Sequence, residues 1–287
     1  VGSVVMASPR PVGSCPREYT QTDQMTILVS LPTSGVAAPG TDIVTPVSTP
    51  LGELPEKHSA TAARLLAAAS ELLVGRGARG FTVADVAQRA HVGKGTVYLY
   101  WPTKEDLLIG LIGRGFLSLV DDLIERLTEE PDLARPSRFC PMMLEIATSQ
   151  PFIAALQRHD EDLLGILAHH PRSVALHDQL GPSAVLHAVL PIWRRHGLAR
   201  QDWDIDDQTF ALHALISGTA LSLIGPAPAP VTADDPMGVL GAAITALLGT
   251  ERATRKQIRS AATEIMAFLR DGHTAALAVI DPPRPAG

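Results

Sequence analysis

Cysteine is almost missing: Cys15 and Cys140 are the only two in 287 residues. Neither a disulfide scaffold nor a cysteine-built zinc site can be assembled from them. Aromatic residues make up 4% of the chain, and alternating β-branched runs are rare, so the usual signature of a sheet is lacking. No stretch of about 18 apolar residues occurs, so no membrane span and no membrane partner are expected. Enzyme signatures are missing too. There is no Gly-x-Ser-x-Gly, no phosphate-binding loop and no His-Glu-x-x-His. His159, His169, His170, His177, His187, His196 and His213 are not spaced to place two ligands on one helix face, so no metal and no cofactor are expected. Lysine is scarce as well, with Lys57, Lys94, Lys104 and Lys256 against 20 arginines, a bias typical of a GC-rich bacterial genome.

What is present is material for a helical core. Hydrophobic residues are 46% and charged residues 19%, and alanine and leucine dominate, which predicts an all-α fold. The net charge of -6 argues against nucleic acid, but it is unevenly spread. Residues 55–110 carry seven basic and five acidic side chains, a mildly basic module inside an acidic chain. A local patch, not total charge, governs nucleic-acid binding.

Residues 1–54 have no helical or alternating period, and eight prolines fall in 1–55. Such a segment cannot offset its ordering entropy by burial. It reads as a disordered extension, or as translation upstream of the true start. Ile27-Leu28-Val29 is too short for the core of a secretory signal, so a cytoplasmic location is expected. Residues 55–108 then form a first domain, 109–250 a larger helical domain, and 251–287 a mixed-charge helix over 252–270 with a loose tail after it.

In the first domain Leu65, Leu66, Ala69, Leu72 and Leu73 make one helical stripe, ended by Gly75 and Gly77. Thr82-x-x-Asp85 starts a second helix in the manner of a capping box, with Val83, Val86 and Ala87 as its apolar face. Arg89 to Gly93 is a turn, and Lys94 to Tyr100 is another short helix, stopped by Pro102. Thr103-x-x-Asp106 opens a long stripe running to about Leu127. Two short helices behind a third make a helix-turn-helix unit. Val97 must face inward, and Leu99, Trp101, Leu107 and Leu108 are read as core by type. Lys94, Thr96, Tyr98 and Tyr100 are left for solvent or DNA. Gly93 and Gly95 keep the front of the recognition helix free of bulk. Thr82, Lys94, Thr96, Tyr98 and Lys104 are donors of the kind that meet phosphate oxygens.

Phe81-Thr82-Val83-Ala84-Asp85-Val86-Ala87, Val92-Gly93-Lys94-Gly95-Thr96-Val97-Tyr98-Leu99-Tyr100-Trp101 and Thr103-Lys104-Glu105-Asp106-Leu107-Leu108 together resemble the tetracycline-repressor (TetR) family of bacterial transcriptional regulators. The resemblance covers about residues 56–108. It implies that Thr82 opens the positioning helix against a phosphate. It implies that Lys94, Gly95 and Thr96 enter the major groove, and that Tyr98 and Lys104 touch the DNA backbone. Two positions depart from the family pattern: His91 stands where glycine is usual in the turn, and Gly93 where a capping serine is common.

The remaining domain matches the family in length and helical order only. Helices are expected over 136–159, 161–169, 173–196 with a break at Gly181-Pro182, 203–224 and 236–248. The resemblance implies a small-molecule pocket, for which Met142, Met143, Ile146, Phe152, Leu156, His187 and Trp193 are candidates. It also implies a homodimer joined through the two late helices. Phe210, Ala214, Ser217, Gly218, Leu221, Leu240, Ile244 and Leu247 are candidates for that seam. The function expected is a sequence-specific repressor that binds double-stranded operator DNA and is released by a small apolar effector. An enzyme with a borrowed helix-turn-helix and a ligand-independent DNA-architecture protein are the alternatives.

Overall fold

The computed structural model describes residues 59–150, 169–224 and 233–280, together with Leu54, Glu56 and Gly165. Every regular element among them is helical. They are α1 (Ala60–Arg76), α2 (Val83–Arg89), α3 (Lys94–Tyr100), α4 (Lys104–Glu129), a 3-10 turn (Pro131–Ala134), α5 (Pro136–Ser149), α6 (Pro171–Leu180), α7 (Pro182–Arg195), α8 (Ile205–Ile224), α9 (Pro236–Leu248) and α10 (Arg255–Ile280). None of the described helices is long and apolar enough to cross a membrane.

The chain builds two cores that share one helix. The first joins α1, α2 and α3 to the beginning of α4 through Leu65, Leu73, Phe81, Val86, Val97, Trp101 and Leu108. The second takes over further along α4, at Leu117, Val120, Leu123 and Leu127, and gathers α5 to α10 around them. Trp193 is a fixed point of this second core. Its ring is fully buried, stands edge-on to Phe139 at 5.7 Å, and its Nε1–H donates to the Ala134 carbonyl at 2.7 Å. A buried indole needs such a partner, and this one ties α7 to the 3-10 turn.

The helix break expected at Gly181-Pro182 is where α6 gives way to α7. A Cβ on Gly181 would lie 2.4 Å from the His177 carbonyl oxygen, so the junction has no room for a side chain. Two boundaries differ from expectation. The helix begun at Pro136 is described to Ser149, and the residues beyond it, with the candidates Phe152 and Leu156, lie outside the described residues, as does nearly all of 161–169. The final helix runs to Ile280 rather than stopping at 270. Gly272, inside the stretch expected to be a loose tail, is a close approach in the fold, because its missing side chain admits Leu180 of α6, 2.3 Å from where a Cβ would stand.

The late helices also sort themselves by face. α9 is apolar nearly all round, and its Leu240, Gly241, Ile244 and Leu248 side turns inward. A Cβ on Gly241 would meet the Ser137 carbonyl oxygen at 2.6 Å, so α9 lies directly on the backbone of α5. Leu240 and Ile244 are therefore core residues of their own chain, not seam residues, and Leu247 is partly buried against the same core. The opposite side of α9, with Val239, Ala242 and Ala246, is exposed.

Candidate nucleic-acid interface

The helix-turn-helix is fixed from three directions. At the start of α2 the Thr82 hydroxyl accepts the Asp85 amide, while Asp85 Oδ2 accepts both the Thr82 amide and the Thr82 hydroxyl, each at 2.7 Å. This capping box satisfies donors that a helix start otherwise leaves bare. The hydrogen bond from the Thr82 side chain is the main reason that the Asp85 carboxyl titrates below its ordinary range. The Thr82 hydroxyl proton is thus spent on a carboxylate, and a phosphate at this spot must compete for it.

The turn after α2 is a Schellman closure. The His91 amide donates to the Gln88 carbonyl at 3.1 Å and the Val92 amide to the Ala87 carbonyl at 2.9 Å. The closure needs a left-handed residue, and His91 supplies it at φ 55°, the one positive φ outside glycine among the described residues. A side chain in that region carries strain of about 1–2 kcal/mol, part of which glycine would return as unfolded-state entropy. His91→Gly is therefore expected to stabilise the protein by about 0.5–1 kcal/mol, read as a rise in the denaturation midpoint without a change in slope.

α3 presents its residues by angle. Val97 is fully buried and Trp101 nearly so, which docks the helix on α1 and α4. Lys94 and Gly95 are exposed at its front, and a Cβ on Gly95 would meet nothing within 4 Å. Gly93 caps the helix without a side-chain hydrogen bond, so the first turn is uncovered. Lys94 Nζ lies 5.8 Å from the centre of the Tyr98 ring, and Tyr98 is itself largely open. Thr96 is half-buried. Lys94, Gly95, Thr96 and Tyr98 thus share one short helix whose outer side is uncovered.

Two sequence-based assignments change. Tyr100 is not free: its hydroxyl shares a 2.7 Å hydrogen bond with Ser59 Oγ, tying the end of α3 to the cap of α1. Lys104 is spent inside the module. Its Nζ donates to the Ala78 carbonyl and, at 2.6 Å, to the Phe81 carbonyl, and it stands 4.6 Å from the centre of the Phe81 ring. It closes the α1–α2 connection onto α4, leaving one of three ammonium donors for a phosphate.

Leu99, expected in the core by residue type, is instead 70% exposed on α3. Successive helical residues differ by about 100°, so Leu99 stands about 200° from the buried Val97. Its position, not its chemistry, carried the signal. An exposed leucine beside Tyr98 is an apolar contact of the type that suits a thymine methyl group.

The candidates for an effector pocket do not converge as a set. Met142, Met143 and Ile146 are buried together on α5. Trp193 is locked by its hydrogen bond to Ala134, and His187 stands exposed on the outer side of α7, away from the buried Leu186, Val189 and Leu190.

This short uncovered helix, set behind a helix that starts in a capping box and ends in a Schellman turn, completes a helix-turn-helix module. Residues 65–111 match the family model described as bacterial regulatory proteins, tetR family. Over these residues the chain is similar to the DNA-binding module of TetR-family transcriptional regulators. A comparison with curated proteins gave no match. Among solved structures, the fatty acid degradation regulator FadR from Bacillus halodurans is similar at 17% identity, over 68% of this chain and 98% of that one, with a TM-score of 0.46. A transcriptional regulator from Streptomyces coelicolor is similar at 22% identity, over 66% and 98% of the two chains, with a TM-score of 0.43. A tetR family regulator from Shewanella sp. PV-4 follows at 18% identity, over 66% and 96%, with a TM-score of 0.41.

Proposed function

We propose that the chain works as a homodimeric repressor that grips a two-fold operator and leaves it when a small apolar ligand binds the body. The observation that carries the reading is an exposed apolar stripe on α8. Phe210, Ala214, Gly218 and Leu221 lie at successive helical turns, all exposed, with Phe210 at 75%. The exposed side of α9, with Val239 at 59%, supplies a second apolar strip. Contiguous exposed apolar surface on a soluble domain marks an interaction site. A single α3 of seven residues reaches few base pairs. Two of them, about 34–36 Å apart, read successive major grooves.

Met142, Met143 and Ile146 support an apolar ligand, since thioether side chains repack readily around a guest. A ligand that binds better to a dimer of different spacing would shift the population off DNA. Sedimentation of the full chain and sequencing of DNA fragments bound by it test the reading. A dimer with inverted half-sites is expected. A monomer, or bound DNA without common sequence, overturns it in favour of an architectural protein.

Within this reading Thr96 reads bases. Its methyl suits thymine and its hydroxyl serves several bases. Thr96→Ala should cost operator affinity about 1–3 kcal/mol and leave binding to scrambled duplex nearly unchanged. Equal losses on both duplexes would move Thr96 to a phosphate contact.

A further inference from the structure

α10 carries none of the residues assigned above to DNA binding or to the proposed dimer seam, and it ends where the two cores meet along α4. α4 belongs to the DNA-binding core up to Ile112 and to the body from Leu117. Between these lies Gly113. A Cβ on it would stand 2.5 Å from Ile280 Cγ1 and 3.5 Å from Leu176 Cδ1. The last turn of α10 and the middle of α6 therefore both rest on bare α4 backbone at the changeover. Three residues earlier, a Cβ on Gly110 would stand 3.0 Å from Trp101 Nε1. The residue that caps the recognition helix is thus seated just beside the α10 contact.

α6 is gripped by both partners. Leu176 sits at Gly113 of α4, and Leu180, one turn on, sits at Gly272 of α10. Its N-terminal turn also reaches the module through the Arg172–Asp106 ion pair at 3.3 Å. α10 in turn is held along its length. Glu264 pairs with Arg195, the last residue of α7, and with His196, which caps it, and His273 lies 3.3 Å from Asp121 of α4. Close-packed contacts transmit displacement because they cannot be compressed. A shift of α6 must then move α4, or Ile280, or both.

We propose that Ile280 is a wedge at Gly113 that sets the angle between the DNA-binding module and the body. The distance measurement that decides it needs no DNA and no dimer, so it stands or falls apart from the repressor reading, and operator affinity is a further readout that rests on that reading. In the full chain carrying Cys15→Ser, Gln88→Cys on α2 and Thr263→Cys on α10 take spin labels. Cys140 is fully buried, with its thiol pushed up by that burial, and does not react. Labelled chain is diluted into excess unlabelled chain so that only distances within one chain are read.

The parent protein should give one narrow distance distribution. Ile280→Ala should broaden it, with helicity retained, and Gly113→Ala should displace it. The two substitutions together should give a narrower distribution than Ile280→Ala alone, because the added methyl fills the vacated space. Ile280→Val, a milder truncation, serves where Ile280→Ala fails to fold, and should broaden the distribution less. Operator affinity should fall in proportion to the lost fraction of competent conformer, about threefold or more for Ile280→Ala. A folded Ile280→Ala protein with the parent distribution overturns the proposal. So does a double variant broader than either single one.

Discussion

Gly218→Glu is expected to convert the proposed dimer to a folded monomer and to reduce operator affinity by two to four orders of magnitude, roughly 10²–10⁴-fold. The chain itself has room for the new side chain, since a Cβ on Gly218 meets nothing within 4 Å. Damage to the monomer is therefore small, beyond the modest helix propensity gained by replacing glycine. In a dimer joined through α8, the glutamates would enter an apolar seam between Ala214 and Leu221. A buried carboxylate without a cationic partner costs several kcal/mol and refuses the interface rather than pay it. Each half-site would then be bound alone, without the effective concentration that linkage provides. Sedimentation equilibrium and circular dichroism check both parts. Leu240→Glu is the contrast: that side chain is buried within its own chain at 1% exposure, so the variant should lose its fold, not merely its partner. A Gly218→Glu protein that sediments as an intact dimer removes α8 from the seam.

The division between what the sequence made legible and what it hid follows the range of the interactions. Stripes such as Leu65, Leu66, Ala69, Leu72 and Leu73 are local repeats, and they became the inner face of α1. The capping box of Thr82 and Asp85 and the break at Gly181-Pro182 are local too. α9 shows the limit. Its apolar residues run nearly all round it, so its composition marks no single inward face. Which side faces its own chain depends on Gly241 meeting the backbone of Ser137, more than 100 residues away in sequence. Backbone carbonyls have no side-chain signature, so nothing in the text of the chain paired Lys104 with Ala78 and Phe81. Tyr100 looked available because its partner Ser59 reads only as a helix cap. Leu99 is a different case: its position about 200° round the helix from the buried Val97 marks it as outward-facing, although its residue type points inward.

Lys104→Ala separates two roles that the sequence merged, and its expected result is a loss of stability first. A lysine bonded only to phosphate would leave the melting temperature unchanged and lower the salt slope of binding by about one unit per half-site. The geometry predicts otherwise. Two donations to the carbonyls of Ala78 and Phe81, and the ammonium over the Phe81 ring, disappear together. Hydrogen bonds from a charged donor contribute about 1.5–3 kcal/mol each when buried, and the partial exposure of this one reduces that, so a total near 2 kcal/mol is expected. The connection between α1 and α2 would loosen, and α2 and α3 with it, so operator and scrambled duplex should both be bound more weakly. The salt slope should fall by less than one unit per half-site, because only one ammonium donor is free for phosphate. Lys104→Met keeps the aliphatic stem over Phe81 and removes the charge. It should recover packing but not the two carbonyl bonds, and so fall between the parent and Lys104→Ala in stability. Thermal melts of the three proteins with binding measured over a salt series decide the matter. An unchanged melting temperature for Lys104→Ala, with a full unit lost from the slope, would return the lysine to the phosphate backbone.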